Sequence, residues 1–237
     1  MTWSLVGAPG TLTNLSGAGS VPCGQASTAG SLLACWVAQI NNTAPTLPAG
    51  WTLVASNTAQ ANNAVWIYAY FGNPGSISSL SVTPAATSNW QVGEFTCPGV
   101  ASVAAADQTG SVNNTSPVSP LNVVTGGNLS AANELALSVG SMRNTTANAS
   151  TVAPGSGFTA AGLVSSGVSA AYHKAFDYRL DTGASAGATV TDAIAFSITG
   201  AGNEVGCIAA FAQPPAGGLL WRPPPPSFVP VARASYW

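Results

Sequence analysis

Formal charge is what this sequence has least of. Only 5% of its 237 residues are Asp, Glu, Lys or Arg, against roughly 25% in ordinary soluble domains. Five basic residues stand against seven acidic ones, so there is no cationic cluster to neutralise a polyanion, and nucleic acid is not an expected partner. Helical patterning is also missing: the Ala-rich stretch at 101–106 is too short to hold a helix unaided. Residues 1–10 carry no basic segment and no apolar run long enough for a signal peptide or a membrane span, so neither Sec export nor a membrane is expected. There is no P-loop, no GxGxxG after a strand and no metal-ligand spacing, hence no cofactor and no metal site. Cys23, Cys35, Cys97 and Cys207 are far apart, and three lie in or beside apolar runs. They read as buried thiols rather than a disulfide framework.

What the chain does have is apolar content, at 46%, balanced by Ser, Thr, Asn and Gly. Its polar surface must therefore be neutral, and a weakly charged surface gives little colloidal repulsion. Such a chain suits the inside of an assembly. Asn-X-Ser/Thr triplets at Asn14, Asn41, Asn113, Asn114, Asn128, Asn144 and Asn148 are what this composition produces by itself, and are not read as glycosylation sites.

Period-two apolar runs bounded by Gly, Pro and Asn predict short strands near 32–40, 51–55, 65–71, 79–83, 90–96, 134–141, 170–178, 188–197 and 205–212. Their order repeats. Leu32-Leu33-Ala34-Cys35-Trp36-Val37, then Pro48-Ala49-Gly50-Trp51-Thr52, an aromatic strand, Leu80-Ser81-Val82-Thr83 and Asn89-Trp90-Gln91-Val92-Gly93 fill the first half. Leu135-Ala136-Leu137-Ser138-Val139, Pro154-Gly155-Ser156-Gly157-Phe158-Thr159, Ala170-Ala171-Tyr172, Ala188-Thr189-Val190-Thr191 and Asn203-Glu204-Val205-Gly206-Cys207 follow in the second. Trp51 and Phe158 are thus expected at equivalent core positions after matched glycine turns.

The fold class expected is all-β: a jelly-roll-like β-sandwich over 1–213 with two similar halves, about 20–100 and 130–213. The halves either form two small sandwiches or interleave into one, and the lack of a linker around 100–130 favours one. Pro117 to Pro120 and Gly126-Gly127 read as turns. Residues 214–237 form an extended proline-rich C-terminal arm, because Pro223-Pro224-Pro225-Pro226 impose polyproline II geometry and cannot join a ladder. The arm is too rich in aromatic and aliphatic residues for a free tail. Leu219, Leu220, Trp221, Phe228, Tyr236 and Trp237 are its candidate partner-binding anchors.

Residues with chemistry are few. His173 is the sole histidine, and a triad with Asp177 or Asp181 lacks a nucleophile-elbow pattern. A glycosidase would need two carboxylates across a cleft, drawn from Glu94, Asp107, Glu134, Asp177, Asp181, Asp192 and Glu204. Asp177 and Asp181 around Arg179 make a poor calcium cage. The expectation is therefore no catalysis. The strand around Val65-Trp66-Ile67-Tyr68-Ala69-Tyr70-Phe71 is apolar on both faces. One face must meet the opposite sheet, and Trp66, Tyr68 and Tyr70 could offer a stacking platform to a glycan or partner unless a loop or subunit covers them.

Pro48-Ala49-Gly50-Trp51-Thr52, Tyr68-Ala69-Tyr70, Ser81-Val82-Thr83 and Glu94-Phe95-Thr96-Cys97-Pro98-Gly99-Val100 together resemble a recurrent pattern of tailed-bacteriophage virion proteins, over most of 20–213. The resemblance implies a structural protein of the head-decoration or minor-tail type, with a jelly-roll-like sandwich and no catalytic residues. It implies assembly in the host cytoplasm and residence in the virion, with other capsid or tail subunits, or repeated copies on a lattice, as partners. Capsid decoration is the reading favoured. A minor tail or adhesion protein, and a carbohydrate-binding module for a host-surface glycan, are the alternatives.

Overall fold

The computed structural model describes residues 2–144, 151–165, 172–197 and 202–214. The proposed anchors Leu219, Leu220, Trp221, Phe228, Tyr236 and Trp237 lie outside the described residues. The first half contributes β1 (Ser4–Leu5), β2 (Thr13–Leu15), β3 (Gly19–Pro22), β4 (Leu32–Gln39), β5 (Thr52–Gln60), β6 (Asn63–Tyr70), β7 (Ser79–Val82) and β8 (Ser88–Thr96). The second contributes β9 (Gln108–Asn114), β10 (Leu121–Val124), β11 (Leu135–Asn144), β12 (Val152–Ala153), β13 (Thr159–Val164), β14 (Tyr172–Arg179), β15 (Thr191–Phe196) and β16 (Gly202–Phe211). All nine strands expected from the apolar pattern are present, and the Ala-rich stretch forms only a 3-10 turn at Val100–Ser102.

The two halves repeat one topology. A large antiparallel sheet runs β1–β8–β4–β6–β5 in the first half, with β2 also on β8, and β9–β16–β11–β14–β13 in the second. Each half adds a small sheet, β3–β7 in the first and β10–β15–β12 in the second. The registers match residue by residue. Trp36 on β4 lies between Ile67 and Gln91, and Val139 on β11 lies between Phe176 and Cys207.

Strands of the two halves do not interleave within a sheet. The physical reason lies in β4 and β11, which are almost wholly buried along their length and so need apolar cover on both faces. The other half's large sheet covers one face, and the half's own small sheet covers the other. The result is one central β-sandwich with an extra layer outside each sheet. Its inner core is built from both halves: Leu32, Trp36, Ile67 and Phe95 meet Leu137, Val139, Phe176 and Phe211. Separate outer cores lie under β3–β7, around Trp66 and Trp90, and under β10–β15–β12, around Ile194 and Phe196.

Close approach of the second small sheet depends on Gly140 and Gly206, which face each other across β11 and β16. A Cβ on Gly140 would sit 2.5 Å from Ile194 Cδ1, and one on Gly206 2.6 Å from Val123 Cγ2. A Cβ at either position would force those side chains of the small sheet to shift. The matched turns expected before Trp51 and Phe158 are present, with Gly50 at φ 96° and Gly157 at φ 82°, a region open chiefly to glycine. Thr52 and Thr159 then pair with the equivalent residues Ala69 and Tyr178. Burial is unequal: Phe158 is buried, whereas Trp51 is half-buried beside the outer core.

Candidate functional site

The aromatic strand β6 does not present an open platform. Its even-numbered face turns outward from the central sandwich, but β3–β7 covers it. Trp66 is 1% exposed and Tyr68 7%, packed with Val21, Leu80, Val82 and Trp90. Burial pushes the Tyr68 hydroxyl up to about 12. Tyr70 reaches the rim half-buried, its ring 5.8 Å from that of Trp51 and edge-on to it. Alternation in the sequence marks two buried faces here, because the large sheet is layered on both sides.

The ionisable residues are drawn inward as well. His173, Ala175 and Asp177 lie on the face of β14 that meets the small sheet, while Lys174, Phe176 and Tyr178 face the centre. Four residues of strand separate His173 from Asp177, about 13 Å. Asp181 is spent elsewhere, its Oδ1 accepting from the Trp3 backbone N–H at 3.0 Å and from Gln213 Nε2 at 3.2 Å. The triad and the calcium loop weighed from sequence are therefore not assembled. Burial lowers the His173 imidazole from its ordinary value.

Two carboxyl pairs do form. Asp177 meets Asp192 beneath the second small sheet, and neither has any exposed surface. Burial, then the charge of the neighbour, pushes Asp177 well above the carboxylate range, and burial also raises Asp192, whose Oδ1 accepts from the Gly155 N–H at 2.8 Å. Burial raises Glu134 to about 7; its neighbour Asp107 is lowered, since hydrogen bonds from Ser130 and Glu134 outweigh its own burial. Asp177, Asp192 and Glu134 have no exposed surface, so neither pair flanks a cleft open to a sugar. Glu94 ties a loop instead, accepting from Thr28 N–H and Ser31 Oγ, both at 2.7 Å. Glu204 accepts from Asn114 Nδ2 at 3.1 Å and Val118 N–H at 3.0 Å.

Counted together, the ten described Asp, Glu, Lys and Arg residues comprise six buried (Glu94, Glu134, Lys174, Asp177, Asp192, Glu204) and four half-buried (Asp107, Arg143, Arg179, Asp181). None is exposed. The four cysteines are free and buried as expected. Among the described residues no group of three or more His, Cys, Asp or Glu is placed to hold a metal ion.

The surface feature that sequence reasoning missed is an apolar groove. Leu53 and Val54 of β5, Phe71, Ala104 and Thr109 line a lobe of about 240 Å³. Through Ala105 and Ala106 it runs on into a second lobe of about 290 Å³, bounded by Val103, Asp107, Ala212 and Pro214. Leu53, 48% exposed, stands at its rim, and Phe71 in its floor is backed by the Phe211 ring at 6.2 Å. The signal in the sequence was the Ala-rich stretch at 101–106, which is apolar without the bulk to fill a core. No protein-family model, curated protein or solved structure matches the chain.

Proposed function

We propose that this chain is a non-catalytic structural subunit of a larger particle, of the kind displayed on tailed-phage capsids, which joins its neighbours through residues 214–237. One observation carries the reading: not one described Asp, Glu, Lys or Arg is exposed. Free domains commonly place charge over about a quarter to a third of their surface to stay apart, whereas a subunit packed in a lattice has no such need. The residues able to do chemistry support the same reading, being enclosed and engaged in holding loops and layers together. Its partners are other virion subunits or further copies of itself, and its place is the assembled virion.

The test is to follow the tagged chain through particle purification and to image it by immunogold electron microscopy. The chain should band with particles and label them at repeated capsid positions. A chain that stays in the cleared lysate while particles pellet refutes the proposal.

A further inference from the structure

We propose that the apolar groove between β5 and the 103–109 segment is the seat of Leu219, Leu220 and Trp221 of the same chain. The groove ends on Pro214, the last described residue, so the following segment starts at its mouth. Four residues lie between Pro214 and Leu219, so five Cα steps give a reach of at most about 18 Å. Gly217-Gly218 within that link supplies the backbone freedom for a turn back onto the fold.

Chemistry and size agree with that occupant. The lining is mostly Leu, Val, Phe, Ala and Pro, with Thr52, Thr109 and Gln213 as neutral polar members, and its one ionisable member, Asp107, accepts from the Ser130 N–H at 2.8 Å. Lobes of about 240 and 290 Å³ each have room for one or two large side chains. Two leucines and an indole meet that description. A segment tethered five residues away is also present at an effective concentration in the millimolar range, ahead of any free competitor.

Seating these anchors changes what the rest of the segment does. Beyond Trp221, Pro223 to Pro226 would hold the chain stiff, at about 3.1 Å per residue. Phe228 would then be held about 20 Å out from the groove, with Tyr236 and Trp237 further along, as the residues left for a neighbour. The inference does not depend on the assembly reading, because groove and occupant belong to one polypeptide.

Cysteine pairing in the full chain tests it. Ala105→Cys with Leu220→Cys places one thiol in the groove and one on the segment. The natural cysteines are buried and burial raises their thiols, so they stay out of the reaction. Ser81→Cys with Leu220→Cys, on the outer β3–β7 sheet, is the control. Under mild oxidation the groove pair should close an intramolecular disulfide about tenfold faster than the control, at a rate unchanged by dilution. Adding Ala106→Trp to fill the groove should bring that rate down to the control's, with the melting curve showing the fold intact. A groove pair no faster than the control overturns the proposal. So does a disulfide found only in dimers, whose yield falls on dilution; that result would make a second copy the occupant.

Discussion

Replacing Lys174 and Asn89 together by valine should strengthen the fold at neutral pH, and the gain should shrink as pH rises. Lys174 is 2% exposed and reaches from β14 across the central sandwich, where its Nζ donates to Asn89 Oδ1 at 2.6 Å and to the Ala38 carbonyl at 3.3 Å. Neither acceptor carries a formal charge. Burial lowers the ammonium from 10.5 to about 7. Between those values the unfolded chain holds the proton and the folded chain releases it, so stability climbs with pH. The penalty is complete below the folded value and is relieved only as pH approaches 10.5. The full span is worth about 4–5 kcal/mol.

The internal repeat supplies the replacement, since Val65 and Val205 hold the equivalent positions and lie in the same inner core. Lys174→Val/Asn89→Val should exceed the wild type by a few kcal/mol at pH 7, with the margin falling by about 2 kcal/mol by pH 8.5. Lys174→Val alone should gain less, because an unpaired Asn89 amide costs about 1–3 kcal/mol. Urea titrations of each variant against wild type at both pH values read this directly. Other titrating groups are common to both proteins and cancel. A difference independent of pH, or a double variant weaker than wild type throughout, refutes the reasoning.

Phe158→Ala should cost about 3–5 kcal/mol, as for any buried aromatic, and Trp51→Ala clearly less because its ring is half-buried; equal losses in denaturant titrations would contradict the placement. Asp177→Asn should be more stable than wild type at neutral pH. The raised carboxyl contributes stability that is complete below its unfolded value near 3.8 and is lost as pH rises through the folded one. Thermal melts near pH 4 and pH 7 that show no change in the gap between the two proteins would rule this out. No cysteine should react with a thiol reagent faster than the protein unfolds, since burial pushes Cys23 and Cys97 to about 11 and Cys35 and Cys207 higher still. A fast native-state reaction at any of the four would place that residue at the surface.

The strands legible in the sequence were those facing a core. β4 and β6 announce themselves by apolar runs, and β8, β11, β14 and β16 by apolar residues interspersed with polar ones; their order revealed the duplication. The edges were not legible. β9 reads Gln-Thr-Gly-Ser-Val-Asn-Asn and is held by backbone pairing to β16, so it carries no apolar alternation. β13 is likewise an edge strand, with a bulge between Ala160 and Gly162. Without those edges the halves look mergeable into one interleaved sandwich. With them, each large sheet closes on its own half. What covers the aromatic face was not legible for a related reason: β3 and β7, four residues each, are too short to signal that they, rather than a loop or a neighbouring subunit, would lie over Trp66 and Tyr68. Inward placement of the charges had no sequence signal, because an acid at a strand end reads the same whether it points to solvent or ties a loop.

Comparison of the two halves shows how the described residues keep their few charges inside. Before β4, the loop N–H of Thr28 is buried against Glu94, a residue of β8. Before β11, the equivalent N–H belongs to Ala131, and its acceptor is Glu134 at 3.0 Å. Glu134 stands where the first half has Ser31, and Ala210 stands where the first half has Glu94. The carboxylate has changed strands while the hydrogen bond has stayed in place. A buried backbone donor must be paired, but either neighbouring strand can bring the acceptor. The fold therefore constrains the bond more tightly than the residue that makes it. This is why aligning the repeats by apolar pattern recovers the architecture, while aligning their acids would have suggested two unrelated sites.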